Sequence, residues 1–205
     1  DFVVNIVNDN SMNDIGIDAN NNNEDYSLLA PDHSGMATIA NAWAYEPPFD
    51  QLITFLFHDH ACPGVQPGFF LTDYIQENYP LSNTESYYYQ GASIYCKDDS
   101  LIYLLGISPG LGSYANQRLN NDDVVSDDDY LKGGTDEGVL AVWDSATNTG
   151  RVTIVSFKWP TYDTTGYNSN SARRYAQIAS YVQMYKGEKT LLPVIDPMAI
   201  RSTDL

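Results

Sequence analysis

Basic residues are scarce in this chain: Lys and Arg total 10 of 205 residues, against 27 Asp and Glu, which gives a formal net charge of −17. Such a chain lacks the basic patch that neutralises phosphate, so we expect no nucleic-acid partner and no binding to anionic membranes. Long hydrophobic runs are also missing. The apolar stretch at 52–57 is far shorter than the roughly 20 residues that a spanning helix needs, so no membrane span is predicted.

Cysteine is also scarce. The chain has two, Cys62 and Cys96, and a disulfide scaffold would carry more. The two thiols could pair once, bind a metal as thiolates, or lie buried and inert. Spacing alone leaves these three alternatives open.

The polarity of the chain comes from Asn, Ser, Thr, Asp and 16 Tyr rather than from Lys and Glu. This composition is typical of surface or secreted proteins, and the first residue is Asp1 rather than Met. We therefore expect an extracellular or cell-surface location after removal of a signal peptide. The apolar fraction of 43% is enough to build a core.

Hydrophobic periodicity predicts a single α+β domain with a mixed or antiparallel sheet covered by helices, and with extended N- and C-terminal arms. The chain divides into a strand, Asn/Asp-rich loop and helix at 1–48, the main domain at 49–188 and an extended tail at 189–205. Helices are predicted at 34–45, 49–57, 63–78, 96–105 and 171–186, and strands at 2–7, 86–94, 139–143 and 151–157.

The segment 57–64 holds the most informative side chains. His58, His60 and Cys62 are two residues apart, so an extended segment would point all three to one side, and a helix would place His58 and Cys62 on one face. Imidazole and thiolate are ligands for zinc or another transition metal. Asp59 could orient one of the imidazoles from behind.

A second set of potential ligands begins a predicted helix. Cys96 and Asp99 are three residues apart and share a face there. A helix N-terminus stabilises a thiolate, so Cys96 is a potential metal ligand or nucleophile. Haem is a further alternative, held non-covalently because no attachment motif is present. Asp18, Asn20, Asn22 and Glu24 alternate as the oxygen ligands of a calcium loop do, but the EF-hand glycine and closing glutamate are missing. We therefore expect a solvated loop at 18–24, with calcium binding as the alternative.

Two blocks resemble the family of the formylmethanofuran dehydrogenase E-subunit. Residues 57–64, Phe-His-Asp-His-Ala-Cys-Pro-Gly, resemble its Phe-His-Gly-His-x-Cys-Pro-Gly signature. Cys96, Asp99 and the Gly-Ile-Ser-Pro-Gly-Leu-Gly segment at 106–112 are similar to its second block, a Ser-Cys-x-x-Asp helix followed by Gly-Cys-Thr-Pro-Gly-Lys-Gly. The resemblance covers about residues 49–188 and implies an α+β metal-associated domain. Its metal-site residues would be His60, Cys62 and Cys96, with His58 and Asp99 beside them.

Three departures from the family pattern concern the site. Asp59 replaces the signature glycine, Ile107 replaces the second-block cysteine and Leu111 replaces its lysine. Part of any family site is therefore changed.

Three functions remain open from the sequence. The first is an extracellular metal-binding domain. The second is a self-assembling component of an archaeal surface layer, sheath or filament, joined through its terminal arms as a homo-oligomer. The third is an enzyme of unknown substrate with Cys96 or a metal-bound water as nucleophile, against which the altered second block argues.

Overall fold

The computed structural model describes residues 34–92, 94–117, 134–167 and 170–205. The predicted strand at 2–7 and the candidate calcium loop at 18–24 lie outside these residues. The helices are α1 (Ser34–Trp43), α2 (Phe49–Phe57), α3 (Gln66–Asn78), α4 (Lys97–Leu105) and α5 (Asn170–Tyr185). The strands are β1 (Glu85–Gly91), β2 (Tyr114–Asn116), β3 (Thr135–Asp144), β4 (Thr149–Lys158), β5 (Thr161–Tyr162), β6 (Val194–Asp196) and β7 (Ala199–Asp204).

Helices and a mixed sheet confirm the predicted α+β class. The chain forms two compact units, Asp1–Gln66 with Thr161–Asp196 and Pro67–Pro160 with Pro197–Leu205. The predicted boundaries at 48/49 and 188/189 stay predictions. Within the described residues, no helix has both the length and the apolar character that a membrane crossing requires.

The second unit contains a five-stranded sheet in the order β2-β1-β3-β4-β7. β1, β3, β4 and β7 pair antiparallel, and β2 lies parallel to β1. Alternate side chains enter the core, among them Tyr87 and Tyr89 from β1 and Leu140 and Val142 from β3. The tail that was predicted to be extended ends in β7, an edge strand of this sheet.

The first unit contains α1, α2, α5 and the small β5–β6 sheet. Helix α5 ends at Tyr185, close to the predicted bound, and Gly187 follows it with a left-handed φ of 70°. The Glu188 N–H donates to Gln183 O at 2.8 Å and the Gly187 N–H to Met184 O at 3.0 Å. This pair of bonds is the Schellman motif, which satisfies carbonyls that the helix end would otherwise leave without partners.

The buried face of α2 is not the one that its apolar pattern suggests. The pattern predicts that Leu52, Ile53, Leu56 and Phe57 face inward, but Leu56 and Phe57 are 52% and 50% exposed. The buried residues are instead Gln51, Thr54 and Phe55. Apolar residues surround this nine-residue helix, so its periodicity does not define one face, and tertiary packing selects the buried one.

Candidate metal centre

The segment with His58, His60 and Cys62 begins with a left-handed turn at the end of α2. His58 is the C-cap residue, and its N–H still donates to Thr54 O at 3.0 Å. Asp59 follows with φ 71°. This position favours glycine, because in other residues a left-handed conformation brings Cβ against the following carbonyl. The structure thus explains why the signature that resembles this segment has glycine where the chain has Asp59.

The turn is held in place by α1. A Cβ on Gly35 would lie 2.3 Å from Asp59 O, so only glycine allows α1 to approach this backbone. The Ala61 N–H donates to Thr38 Oγ1 at 2.8 Å, and Thr38 Oγ1 donates to Gly35 O at 2.6 Å. These contacts hold Asp59, which lies between the two histidines, and Ala61, which lies between His60 and Cys62. Gly35 and Thr38 could not be identified from the sequence, since neither carries a ligand atom.

A buried pair of glutamine side chains links α2 to the start of α3. Gln51 of α2 donates through Nε2 to Oε1 of Gln66, the first residue of α3, at 2.5 Å. Both side chains are fully buried. Cys62 lies between them in sequence and is itself buried, in a turn where the Val65 N–H donates to Cys62 O at 3.3 Å. The helix predicted from residue 63 therefore begins three residues later, at Gln66.

Cys96 is presented at the N-terminus of α4. The Asp98 carboxylate accepts the Tyr95 N–H at 3.1 Å, and the Asp99 N–H donates to Cys96 O at 3.2 Å. Helix α3 contacts this end of α4 closely, because a Cβ on Gly68 would lie 2.1 Å from Lys97 O. Cys96 is partly buried, and its side chain makes no capping hydrogen bond.

The structure brings together His58, Cys62 and Cys96. Their ligand atoms lie within 4.8 Å of one another, and this is the metal-compatible group found in the part of the chain that the structure describes. The two cysteines are not joined by a disulfide. Zinc–sulfur bonds of about 2.3 Å at a tetrahedral angle place two sulfurs about 3.8 Å apart, roughly 1 Å inside the observed limit. One imidazole and two thiols are therefore a donor set that fits zinc or a similar transition metal.

His60 and Asp99 are outside this group, and their role as ligands stays a prediction. The His60 ring lies beside the His58 ring, with centroids 4.5 Å apart and planes tilted by 37°. Burial, reinforced by the nearby charges of His58 and Arg174, lowers the pKa of His60 below 6.5. A neutral imidazole at neutral pH can accept a hydrogen bond or bind a metal. Asp99 lies in the first turn of α4, three residues after the cap residue Cys96.

The second sequence block contributes structure rather than ligands at its altered positions. Ile107, which stands where the family pattern has cysteine, is 3% exposed and belongs to the core. Leu111, which replaces the lysine, is 73% exposed. The block still forms its turns: Gly106 and Gly112 have φ of 65° and 67° on either side of a short 3-10 helix at Pro109–Leu111.

Comparison with known proteins yields one family. Residues 57–186 match the family model described as "FmdE, Molybdenum formylmethanofuran dehydrogenase operon". The match includes both histidines of the segment after α2 and both cysteines. No curated protein matches the chain.

Proposed function

The chain belongs to the FmdE family, and on that premise we propose that it is a metal-binding domain that holds zinc through His58, Cys62 and Cys96. The single observation that carries the proposal is the convergence of one imidazole and two thiols from residues far apart in sequence. Thiols are costly to keep deprotonated in an apolar interior unless a cation compensates them. A metal bound here would supply that compensation.

Three protein ligands leave one coordination position for a fourth group. His60, whose ring adjoins that of His58, could supply that fourth group, and a water or a small ligand is the alternative. With an open position, a bound zinc would act as a Lewis acid. An enzymatic role for this chain therefore depends on what fills that position.

The location we propose is extracellular or at the cell surface. The support is compositional: a net charge of −17 with 16 Tyr and 10 basic residues. A metal site with two thiolates would also serve such a protein as a structural cross-link, because metal binding adds to folding stability.

Separate alanine substitutions of His58 and His60 test which residues bind the metal. His58→Ala should lose most of the metal that co-purifies with the wild-type protein, because it removes the imidazole of the group. His60→Ala, the same change two residues away, should keep it if His60 is not a ligand. Elemental analysis of both variants after dialysis gives the answer. Equal zinc content in wild-type, His58→Ala and Cys96→Ser proteins would contradict the proposal.

Self-assembly is a second proposed function, favoured by large apolar side chains that α1, α2 and their flanks leave exposed. Trp43, Phe49 and Leu56 are 61%, 75% and 52% exposed, which is typical of surfaces that other molecules cover. The edge of β7 offers a further site for strand addition. Analytical ultracentrifugation at increasing protein concentration tests this. Association that Phe49→Ser and Leu56→Ser abolish would support it, and a monomer at all concentrations would refute it.

A further inference from the structure

A bulge in β3 turns an acidic side chain into the interior. The pairing with β4 shifts between Asp136 and Gly138, so Glu137 is the additional residue. Its side chain is fully buried. Bulges re-aim single side chains and often occur beside functional sites. No motif or spacing in the sequence singles out Glu137.

Glu137 is surrounded by specific partners. Its Oε1 accepts hydrogen bonds from the Tyr95 hydroxyl at 3.0 Å and from Thr135 Oγ1 at 2.6 Å. Its Oε2 lies 3.5 Å from Nζ of Lys97, which is also fully buried. The Lys97 ammonium lies 3.1 Å from both oxygens of Asp98 and 4.5 Å from the centroid of the Tyr95 ring. The result is a buried polar cluster of alternating charge.

Two of the three partners of Glu137, Tyr95 and Lys97, are the residues on either side of Cys96. Tyr95 precedes the cysteine and Lys97 follows it. The Asp98 carboxylate, paired with Lys97, also accepts the Tyr95 N–H. The backbone that carries the Cys96 side chain is therefore held from both directions by one carboxylate and its partners.

We propose that Glu137 is a positioning residue, which acts through Tyr95 and Lys97 to fix the Cys96 thiol in the geometry for metal binding. The inference rests on the proposed metal function. A buried ion cluster is seldom the cheapest way to stabilise a fold, since apolar residues of similar volume often do as well. Its presence on both sides of a ligand is explained if it orients that ligand, as residues behind metal ligands generally do.

The test is a cobalt titration of the full chain, read from the thiolate-to-cobalt charge-transfer absorption. Glu137→Gln keeps the size of the side chain and removes its charge. We expect about 10- to 100-fold weaker cobalt binding and a weaker charge-transfer band per bound ion. Asp136→Asn is the matched control, because it neutralises the adjacent carboxylate, which accepts from Ser156 Oγ at 2.5 Å. The control should keep wild-type affinity and spectrum.

A second, milder variant keeps the test decisive if Glu137→Gln does not fold. Tyr95→Phe removes only the hydroxyl that donates to Glu137, and it should shift affinity and spectrum in the same direction by a smaller factor. Wild-type affinity and spectrum in both Glu137→Gln and Tyr95→Phe would overturn the inference. Equal losses in Asp136→Asn and Glu137→Gln would also overturn it, because they would indicate general destabilisation.

A metal-independent measurement separates this inference from the proposed function. In a Cys62→Ser background, the reaction of Cys96 with Ellman's reagent reports how firmly its backbone is held. Glu137→Gln should accelerate this reaction by about threefold or more, while Asp136→Asn should not. If the wild-type protein binds no metal, the proposed function fails, and this rate still decides whether Glu137 holds Cys96. An unchanged rate refutes the positioning role.

Discussion

Substituting Gly68 by alanine is the most direct perturbation of the contact that places α3 against the start of α4. The added Cβ would lie 2.1 Å from Lys97 O and 2.8 Å from Ser100 Cβ. Both distances are shorter than real Cβ contacts, and the nearer atom is backbone, which cannot rotate away. One of the two helices must therefore move by about 1 Å, because a relaxed carbon–oxygen contact is above 3 Å.

Two opposing effects determine how much Gly68→Ala changes the free energy of unfolding. Alanine gains at most about 1 kcal/mol over glycine in helix propensity. Overpacking of a well-packed site costs about 1–3 kcal/mol, and the rigid obstruction here points to the upper end. We therefore expect Gly68→Ala to lower the free energy of unfolding by about 2 kcal/mol, or the Tm by roughly 4–8 °C for a chain of this size.

Thermal melts in the presence of a chelator measure this effect without any contribution from bound metal. Gly110→Ala is the control, because its Cβ would have only Ser108 Oγ nearby, at 3.8 Å. Movement of Lys97 should also displace Cys96, so Gly68→Ala should bind cobalt more weakly than Gly110→Ala. A Tm for Gly68→Ala equal to or above that of the wild type would refute the packing argument.

Other expectations concern single residues. Asp59→Gly should raise the free energy of unfolding by about 0.5–1 kcal/mol in urea denaturation, because glycine relieves the left-handed strain at a smaller entropic cost; a lower value would contradict this. The Ala146 N–H and a neighbouring hydroxyl lower the pKa of Asp144 below 3.8. Its carboxylate therefore stabilises the fold above that pH and loses this effect as pH falls further, so the Tm advantage of the wild type over Asp144→Asn should shrink in acid. Tyr79→Phe removes a 2.7 Å bond from the hydroxyl to Ser202 Oγ and should cost about 1 kcal/mol in urea denaturation.

Local signals in the sequence predicted the helices well, and also the central parts of β3 and β4. The predicted bounds of α1, α2, α4 and α5 lie within a few residues of the observed ones, because these segments have clear ends, such as Pro48 before α2 and Gly187 after α5. The three residues of the metal-compatible group were also within the predicted set. Soft ligands are rare in this chain, so their residue type alone was informative.

Long-range contacts could not be predicted from the sequence. The buried face of α2 depends on the pairing of Gln51 with Gln66, and no spacing rule indicates that two glutamines will be buried together. Glu137 reaches the interior only because β3 has a bulge, which depends on pairing with β4. The left-handed turn at Asp59, likewise, has no local signal other than the glycine that the family signature has at this position.

The pairing of β7 was missed for a similar reason. Residues 199–204 have little alternation, and they become a strand because β4 offers an edge with which they pair over Thr153 to Lys158. Pairing with a distant strand, rather than intrinsic propensity, determines the structure of this tail. The same holds for β2, a three-residue strand that lies parallel to β1.

The central claim is that His58, Cys62 and Cys96 hold a transition metal, and elemental analysis combined with thiol titration of natively purified protein tests it most directly. We expect about one equivalent of metal per chain, zinc first. We also expect the thiols to react fully only after chelation under denaturing conditions. Protein that contains no metal, and whose two thiols are either oxidised or react at the same rate with and without chelator, would contradict the claim.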